Sequence, residues 1–100
     1  MEIKIILNNQ DVQVCLIGEL DSKAITEHAN ELDEIVKLAD KKLEVDCSEL
    51  EYISSAGLRF FMQLKRASES QGGTIRLTHL NEDVADIFNM SGFQNIFDIE

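Results

Sequence analysis

Two hydrophobic periodicities alternate along this sequence of 100 residues, and their order restricts the folds that it can adopt. Apolar residues recur at every second position in the segments expected to be strands, and at helical spacing in the segments between them. A strand, a helix and a second strand in succession form a parallel pair with a right-handed crossover, whereas a short turn joins antiparallel strands. The order β-β-α-β-α-β-α-β therefore predicts an α/β domain with a mixed β-sheet and helices packed on it.

Five segments carry the alternation or the β-branched residues of a strand. Ile3–Leu7 and Val12–Gly18 flank a short polar turn, which is typical of a hairpin. The other three predicted strands are Leu43–Cys47, Thr74–Thr78 and a short last strand within Ile96–Ile99. Ser48–Ile53 lacks alternation, so we expect a loop there, anchored by Leu50 and Ile53.

Three segments have helical periodicity and recognisable ends. They are about Ala24–Leu38, a segment that opens at Ser54–Gly57 and is stopped by Gly72–Gly73, and Asn81–Gly92 with Asn81 as its cap. Asp21 or Ser22 is expected to cap the first helix by accepting hydrogen bonds from its free backbone N–H groups. The predicted inner face of the first helix carries Ile25, Ala29, Leu32, Val36 and Ala39.

The composition indicates one acidic domain, residues 1–100. Asp and Glu total 19 and Lys and Arg total 9, so the formal net charge is −10. This acidity argues against binding to nucleic acid or to anionic membranes, because both require positive charge. No apolar run approaches the roughly 20 residues of a membrane span, and the first residues lack a signal-peptide core. Cys15 and Cys47 read as core residues rather than a disulfide pair, so we expect a cytoplasmic protein.

No recognisable catalytic, cofactor or metal site is present in the sequence. His28 and His79 have no Asp or Glu at the spacing of a catalytic triad or a metal site, and no glycine-rich phosphate loop occurs. We therefore expect no catalysis, no cofactor and no metal ion. The competing hypothesis, a small α/β enzyme or ligand-binding subunit, would have to depend on His28 or His79.

One segment combines features that packing alone explains incompletely. Ser54 and Ser55 open the second predicted helix, where free N–H groups and the helix dipole favour a negative group. The small residues Ala56 and Gly57 follow, and small residues let another chain approach closely. One serine capping the helix and the other filling space is one interpretation; a site for a partner is the other.

Three segments in the same order resemble those of STAS domains, specifically bacterial anti-sigma factor antagonists. Asp46–Arg59, with its Ser54-Ser55-Ala56-Gly57-Leu58 run, is similar to the core signature of that family. Gly18–Asp21 is similar to the turn before its first helix, and Phe88–Phe93 to its late F-x-x-S-G segment. The resemblance covers essentially the whole chain and implies a STAS-like single domain.

The resemblance also implies roles for particular residues. The family pattern is commonly Asp-Ser-Ser/Thr-Gly-Leu, and a partner kinase phosphorylates the serine that follows the Asp. Ser54 stands at the Asp position, Ser55 at the phosphoacceptor position and Ala56 at the next position. Partner binding is then expected to involve Asp21, Ser54, Ser55, Ala56 and Gly57.

The implied function is regulatory. The unphosphorylated domain, expected to be monomeric when free, would bind an anti-sigma factor that is also a serine kinase of the histidine-kinase-like ATPase fold. A sigma factor would thereby be released, and a PP2C-type phosphatase would reverse the phosphorylation. An alternative is the same phosphoswitch acting on a partner in secretion, biofilm formation or other signalling.

Asp21 has two possible roles at this stage. Turns that lead from a strand into a helix lie at the carboxyl ends of the strands, where binding sites are usual in α/β folds. The second and third predicted strands are therefore expected to bring Asp21 and Ser55 to one edge of the domain. Asp21 could serve the partner surface there, or it could simply cap the first helix.

Overall fold

The computed structural model describes residues 1–100 as one mixed sheet with helices packed on it. The strands are β1 (Glu2–Asn8), β2 (Asp11–Leu20), β3 (Lys42–Asp46), β4 (Leu50–Ile53), β5 (Thr74–Thr78) and β6 (Asp98–Ile99). The helices are α1 (Ser22–Glu27), α2 (Ala29–Lys37), α3 (Ser55–Gln71) and α4 (Glu82–Ser91), and a 3-10 turn spans Phe93–Asn95. The predicted α/β class and the mixed sheet are confirmed.

The sheet follows the order β1-β2-β3-β5-β6, and β4 pairs with β2 off this path. β1 and β2 form the predicted antiparallel hairpin, and all other pairs are parallel. β2 pairs with β3 through residues 11–15 and with β4 through residues 18–20. Gly18 lies where β2 changes partner. Its φ of +104° is a backbone conformation that glycine adopts readily.

The core lies between the sheet and the helices. Its central rows run across the sheet through paired residues such as Val14 and Val45, which are both about 1% exposed. The helices add aromatic side chains, of which Phe61 and Phe88 meet edge-on at 5.7 Å between ring centres. In all, 22 buried apolar residues form one cluster. None of the helices combines the length and apolar character that crossing a membrane requires.

The prediction of a single first helix is wrong, because the structure divides this segment into α1 and α2. The division falls at His28, whose backbone leaves helical geometry at φ −112° and ψ 24°. Ala24 and Ile35 are buried, whereas the predicted inner residue Ala29 is exposed. No glycine or proline marks the break, so tertiary packing sets it: α1 packs on β2 and α3, and α2 packs mainly on α3.

The prediction of a loop at residues 48–53 is also wrong in part, because Leu50–Ile53 forms β4. Leu50 and Ile53 are the buried anchors that the sequence indicated, at 0% and 2% exposure. Two buried residues separated by two exposed ones do not alternate as an amphipathic strand does, and pairing with β2 makes this segment a strand. The short strand thus inserted carries the chain directly into α3.

Candidate functional site

Two turns, one before α1 and one before α3, lie side by side at one edge of the domain. Leu20, the last residue of β2, pairs with Ile53, the last residue of β4. The N–H of Ser54 donates to the carbonyl oxygen of Leu20 at 3.0 Å, which ties the second turn to the first. The predicted meeting of Asp21 with the serine pair is confirmed, but β4 rather than β3 brings it about.

Ser54 is the serine that caps α3. Its Oγ accepts a hydrogen bond from the N–H of Gly57 at 3.3 Å and donates one to the carbonyl oxygen of Leu20 at 3.4 Å. Its extended backbone, φ −91° and ψ 177°, is the geometry of a helix cap. The sequence did not show which of the two serines caps the helix, and the structure gives that role to Ser54.

Ser55 is the first residue of α3 and its side chain is exposed. The hydrogen bonds that organise this turn involve Ser54 and leave the Ser55 hydroxyl out. The two neighbouring serines thus differ physically: one is half-buried and engaged in the cap, and the other presents its hydroxyl to solvent. An enzyme that modifies a hydroxyl group can reach Ser55 without opening the helix.

Asp21 caps α1, which decides between Asp21 and Ser22, the two caps that the sequence left open. Its Oδ1 accepts from the N–H of Ala24 at 2.9 Å, and its carbonyl oxygen accepts from the N–H of Ile25 at 2.9 Å. Asp21 is only half-buried, so part of the carboxylate remains available at the edge that it shares with Ser54. The geometry thus gives Asp21 the cap role and leaves the predicted partner role as a proposal.

Gly57 has a structural reason of its own to be glycine. A Cβ on this residue would lie 2.6 Å from the carbonyl oxygen of Leu20 and 2.7 Å from Cγ1 of Ile53. The residue is buried, so its smallness lets α3 approach β2 and β4 rather than exposing backbone to another chain. Of the predicted partner residues, Gly57 therefore lies beneath the surface that the other four form.

A groove extends from this edge between α3 and the two helices that precede it in sequence. It encloses about 250 Å³ and is lined by Ile25, Ala29, Leu32, Asp33, Ala56, Arg59, Phe60 and Gln63. Ala56 therefore borders both Ser55 and an apolar depression. Arg59 is the one cation among the residues that line the groove. The sequence interpretation named it only as the last residue of the segment that resembles the family signature. The sequence did contain a signal that Arg59 lies near Ser55, because residues four apart lie on the same face of a helix.

Each histidine contacts one carboxylate, and the surroundings of both cysteines disfavour the thiolate. Nδ1 of His28 is 2.7 Å from Glu31, and Nδ1 of His79 is 3.4 Å from Asp46. Burial raises the pKa of the Cys47 thiol to about 12, and burial followed by the charge of Asp46 raises that of Cys15. Both thiols are therefore held in the protonated, weakly nucleophilic form. No group of three or more His, Cys, Asp or Glu is arranged to hold a metal ion.

Comparison with known proteins agrees with this geometry. The family model described as "Mlab, STAS domain" matches residues 4–98. The anti-sigma-B factor antagonist of Bacillus subtilis is 30% identical over 94 residues, which cover 92% of this chain and 84% of that protein.

Solved structures share the fold at lower sequence identity. TM1081 of Thermotoga maritima superposes with a TM-score of 0.84 at 20% identity, covering 97% of this chain and 84% of that one. The Bacillus protein SpoIIAA matches in its unphosphorylated form with a TM-score of 0.74 at 16% identity, covering 99% and 87% of the two chains. Its phosphorylated form matches with a TM-score of 0.72 at 17% identity, covering 99% and 91%.

The chain therefore belongs to the STAS domain family, and within it to the anti-sigma factor antagonists. The sequence resemblance that suggested this family is confirmed. Proteins of this group are regulators rather than enzymes, and the Bacillus subtilis relative is by its name an antagonist of an anti-sigma factor.

Proposed function

We propose that this chain is a phosphorylation-controlled switch in which Ser55 is the phosphoacceptor. The unphosphorylated chain binds an anti-sigma factor and so frees a sigma factor, and phosphate on Ser55 ends that binding. The proposal rests on the difference between the two serines of this turn. The hydroxyl of Ser54 is hydrogen-bonded as the helix cap, whereas Ser55 is exposed beside it. Asp21, Ser54 and Ala56 complete the docking surface around Ser55, supported from below by Gly57.

The physical chemistry of a phosphate suits this position. A phosphoserine carries a charge of about −1.5 to −2 at pH 7. At the first residue of α3 it faces the positive end of the helix dipole, so the free domain can accept it without refolding. Within a docked interface the same charge must lose its water, which is costly unless a partner cation replaces it. A 100-fold loss of affinity requires only about 2.7 kcal/mol.

The proposed partners follow from the family. The anti-sigma factor is expected to be a serine kinase of the histidine-kinase-like ATPase fold, and a PP2C-type phosphatase is expected to remove the phosphate. Such a cycle operates in the cytoplasm, where ATP is available, and requires no cofactor on this chain. The existence of SpoIIAA structures in both phosphorylation states supports the idea that a STAS fold accommodates the modification.

Phosphopeptide mass spectrometry of the chain isolated from the cells that produce it tests the acceptor. We expect phosphate on Ser55 in the unmodified chain and in Ser54→Ala, and none at this turn in Ser55→Ala. Ser54→Ala should also lose about 0.5–2 kcal/mol of stability, because its cap is lost. Phosphate on Ser54 with Ser55 unmodified would contradict the assignment. Proteins captured by Ser55→Ala and not by Ser55→Asp would identify the partner and show whether the output is transcriptional.

Two variants of Asp21 separate its cap role from its proposed partner role. Asn caps helices about as well as Asp, so Asp21→Asn should keep the melting temperature while removing the charge. If the carboxylate contacts the partner, this variant loses affinity by about 2- to 30-fold, equivalent to roughly 0.5–2 kcal/mol. Asp21→Ala should lower stability as well. Calorimetric titration and thermal unfolding of both variants measure the two effects, and unchanged affinity in both would remove Asp21 from the interface.

A further inference from the structure

Arg59 lies one helical turn after Ser55 and is exposed on the same side of α3. Residues four apart on a helix have Cβ atoms separated by about 5–6 Å, so the long side chain of Arg59 can reach a group on Ser55. Among the Lys and Arg side chains, Lys4, Lys23 and Arg76 form ion pairs, and Arg59 forms none. Its guanidinium is therefore free to bind a new anion.

We propose that Arg59 is the intramolecular counter-ion of Ser55 once Ser55 is phosphorylated. This inference rests on the proposed function and deepens it by naming the residue that responds to the phosphate within the same chain. Phosphorylation then changes the docking surface twice: it adds an anion at Ser55, and it withdraws the cation of Arg59 from any carboxylate of the partner.

The surroundings favour this pairing over the alternatives. Arg59 is the only cation that lines the groove, and Asp33, the only acid in the lining, forms no ion pair with it. The first acidic residue along α3 is Glu69, near the opposite end of the helix. An anion four residues before a cation is also the more favourable order for an ion pair on a helix, and at the first residue of α3 the anion complements the helix dipole. The planar guanidinium can hold two phosphate oxygens at once.

The negative groups nearby make this counter-ion consequential. Asp21 faces the same edge from the turn before α1, and Asp33 faces the groove from α2. Lys23 on α1 is already paired with Glu27 at 3.8 Å. A phosphate on Ser55 would therefore be added at an edge that already carries the carboxylate of Asp21, with Arg59 as the free cation one turn along α3. We expect Arg59 to favour the dianionic form of the phosphate.

The test uses the full chain with phosphoserine incorporated at position 55 during synthesis, so that no kinase is needed. Phosphorus NMR titration gives the second pKa of the phosphate, ordinarily about 6. Arg59→Gln should raise this pKa by about 0.15–0.4 pH units relative to the phosphorylated chain that keeps Arg59, a shift that corresponds to ordinary i,i+4 ion-pair energies. Arg59→Lys should restore part of the difference, and added salt should shrink it.

Arg66→Gln is the matched control, because it removes the same charge from α3 almost two turns further from Ser55 than Arg59. It should leave the phosphate pKa within about 0.1 of its value, given screening over that distance. Equal pKa values with and without Arg59, or equal shifts in both variants, would overturn the proposal. Absence of phosphate on Ser55 in cells would instead refute the proposed function, so the two failures are distinguishable.

Discussion

Ser55→Asp is expected to lower the affinity of the chain for its partner about 100-fold, a free-energy change of about 2.7 kcal/mol. Ser55 is exposed at the centre of the proposed docking surface, and a charge that loses its water without a matching cation costs several kcal/mol. The fold should remain intact, because a carboxylate in the first turn of a helix is stabilising by about 0.3–1 kcal/mol. Isothermal titration calorimetry and thermal unfolding followed by circular dichroism measure the two quantities.

Ser70→Asp provides the control for net charge. Ser70 is an exposed serine in the last turn of the same helix, far from the edge that carries Ser55. This variant should bind with affinity within about twofold of the unmodified chain, because exposed charges beyond the Debye length are screened. Equal losses in both variants would indicate a general charge effect, and full affinity in Ser55→Asp would refute the switch.

Local signals in the sequence predicted much of the fold correctly. The hairpin followed from alternation around a short polar turn, and the confirmed cap Asn81 accepts from the N–H of Val84 at 2.8 Å. Gly72 and Gly92 end α3 and α4 in the left-handed conformation, at φ 78° in each case. These features depend on residues within a few positions of each other, so a single sequence contains them.

The features that the sequence did not predict depend on distant contacts. β4 exists because β2 extends beyond β3 and offers Gly18–Leu20 as a second pairing edge. The break at His28 has no local cause and accompanies the packing of α1 on β2. In both segments the partner strand or helix that fixes the conformation lies elsewhere in the chain.

The candidate site shows the same division. The motif identified the serine pair, but adjacency in sequence could not show which serine caps α3. Ser54 accepts from the N–H of Gly57 and is also tied to the carbonyl oxygen of Leu20 across the edge. Likewise, smallness at Gly57 suggested close approach by another chain, and the approaching backbone is that of β2 within the domain. The sequence thus indicated where the site lies, and the tertiary structure distinguishes the residues that build it from those that are exposed on it.

Gly57→Ala is expected to destabilise the domain by about 2 kcal/mol, a value within the usual range for overpacking. The added Cβ would lie 2.6 Å from the carbonyl oxygen of Leu20, a backbone atom that cannot rotate away. Alanine gains up to about 1 kcal/mol of helix propensity over glycine, so the steric cost must exceed this gain. For a domain of this size, 1 kcal/mol corresponds to a melting-temperature change of about 4–8 °C, and a decrease near 10 °C is expected.

Gly72→Ala separates this steric effect from the general consequence of replacing a glycine. Gly72 has the left-handed φ of 78° that disfavours alanine, but a Cβ there would meet nothing within 4 Å. Its cost should be the conformational one alone, about 1–2 kcal/mol before the entropy gain of losing a glycine from the unfolded chain. Gly57→Ala should in addition speed hydrogen exchange at the Ser54 amide, because the clash separates α3 from Leu20 and weakens the 3.0 Å hydrogen bond between them. A melting temperature for Gly57→Ala at or above that of the unmodified chain would mean that α3 can shift without cost, and the edge joining Asp21 to Ser54 would then not depend on this contact.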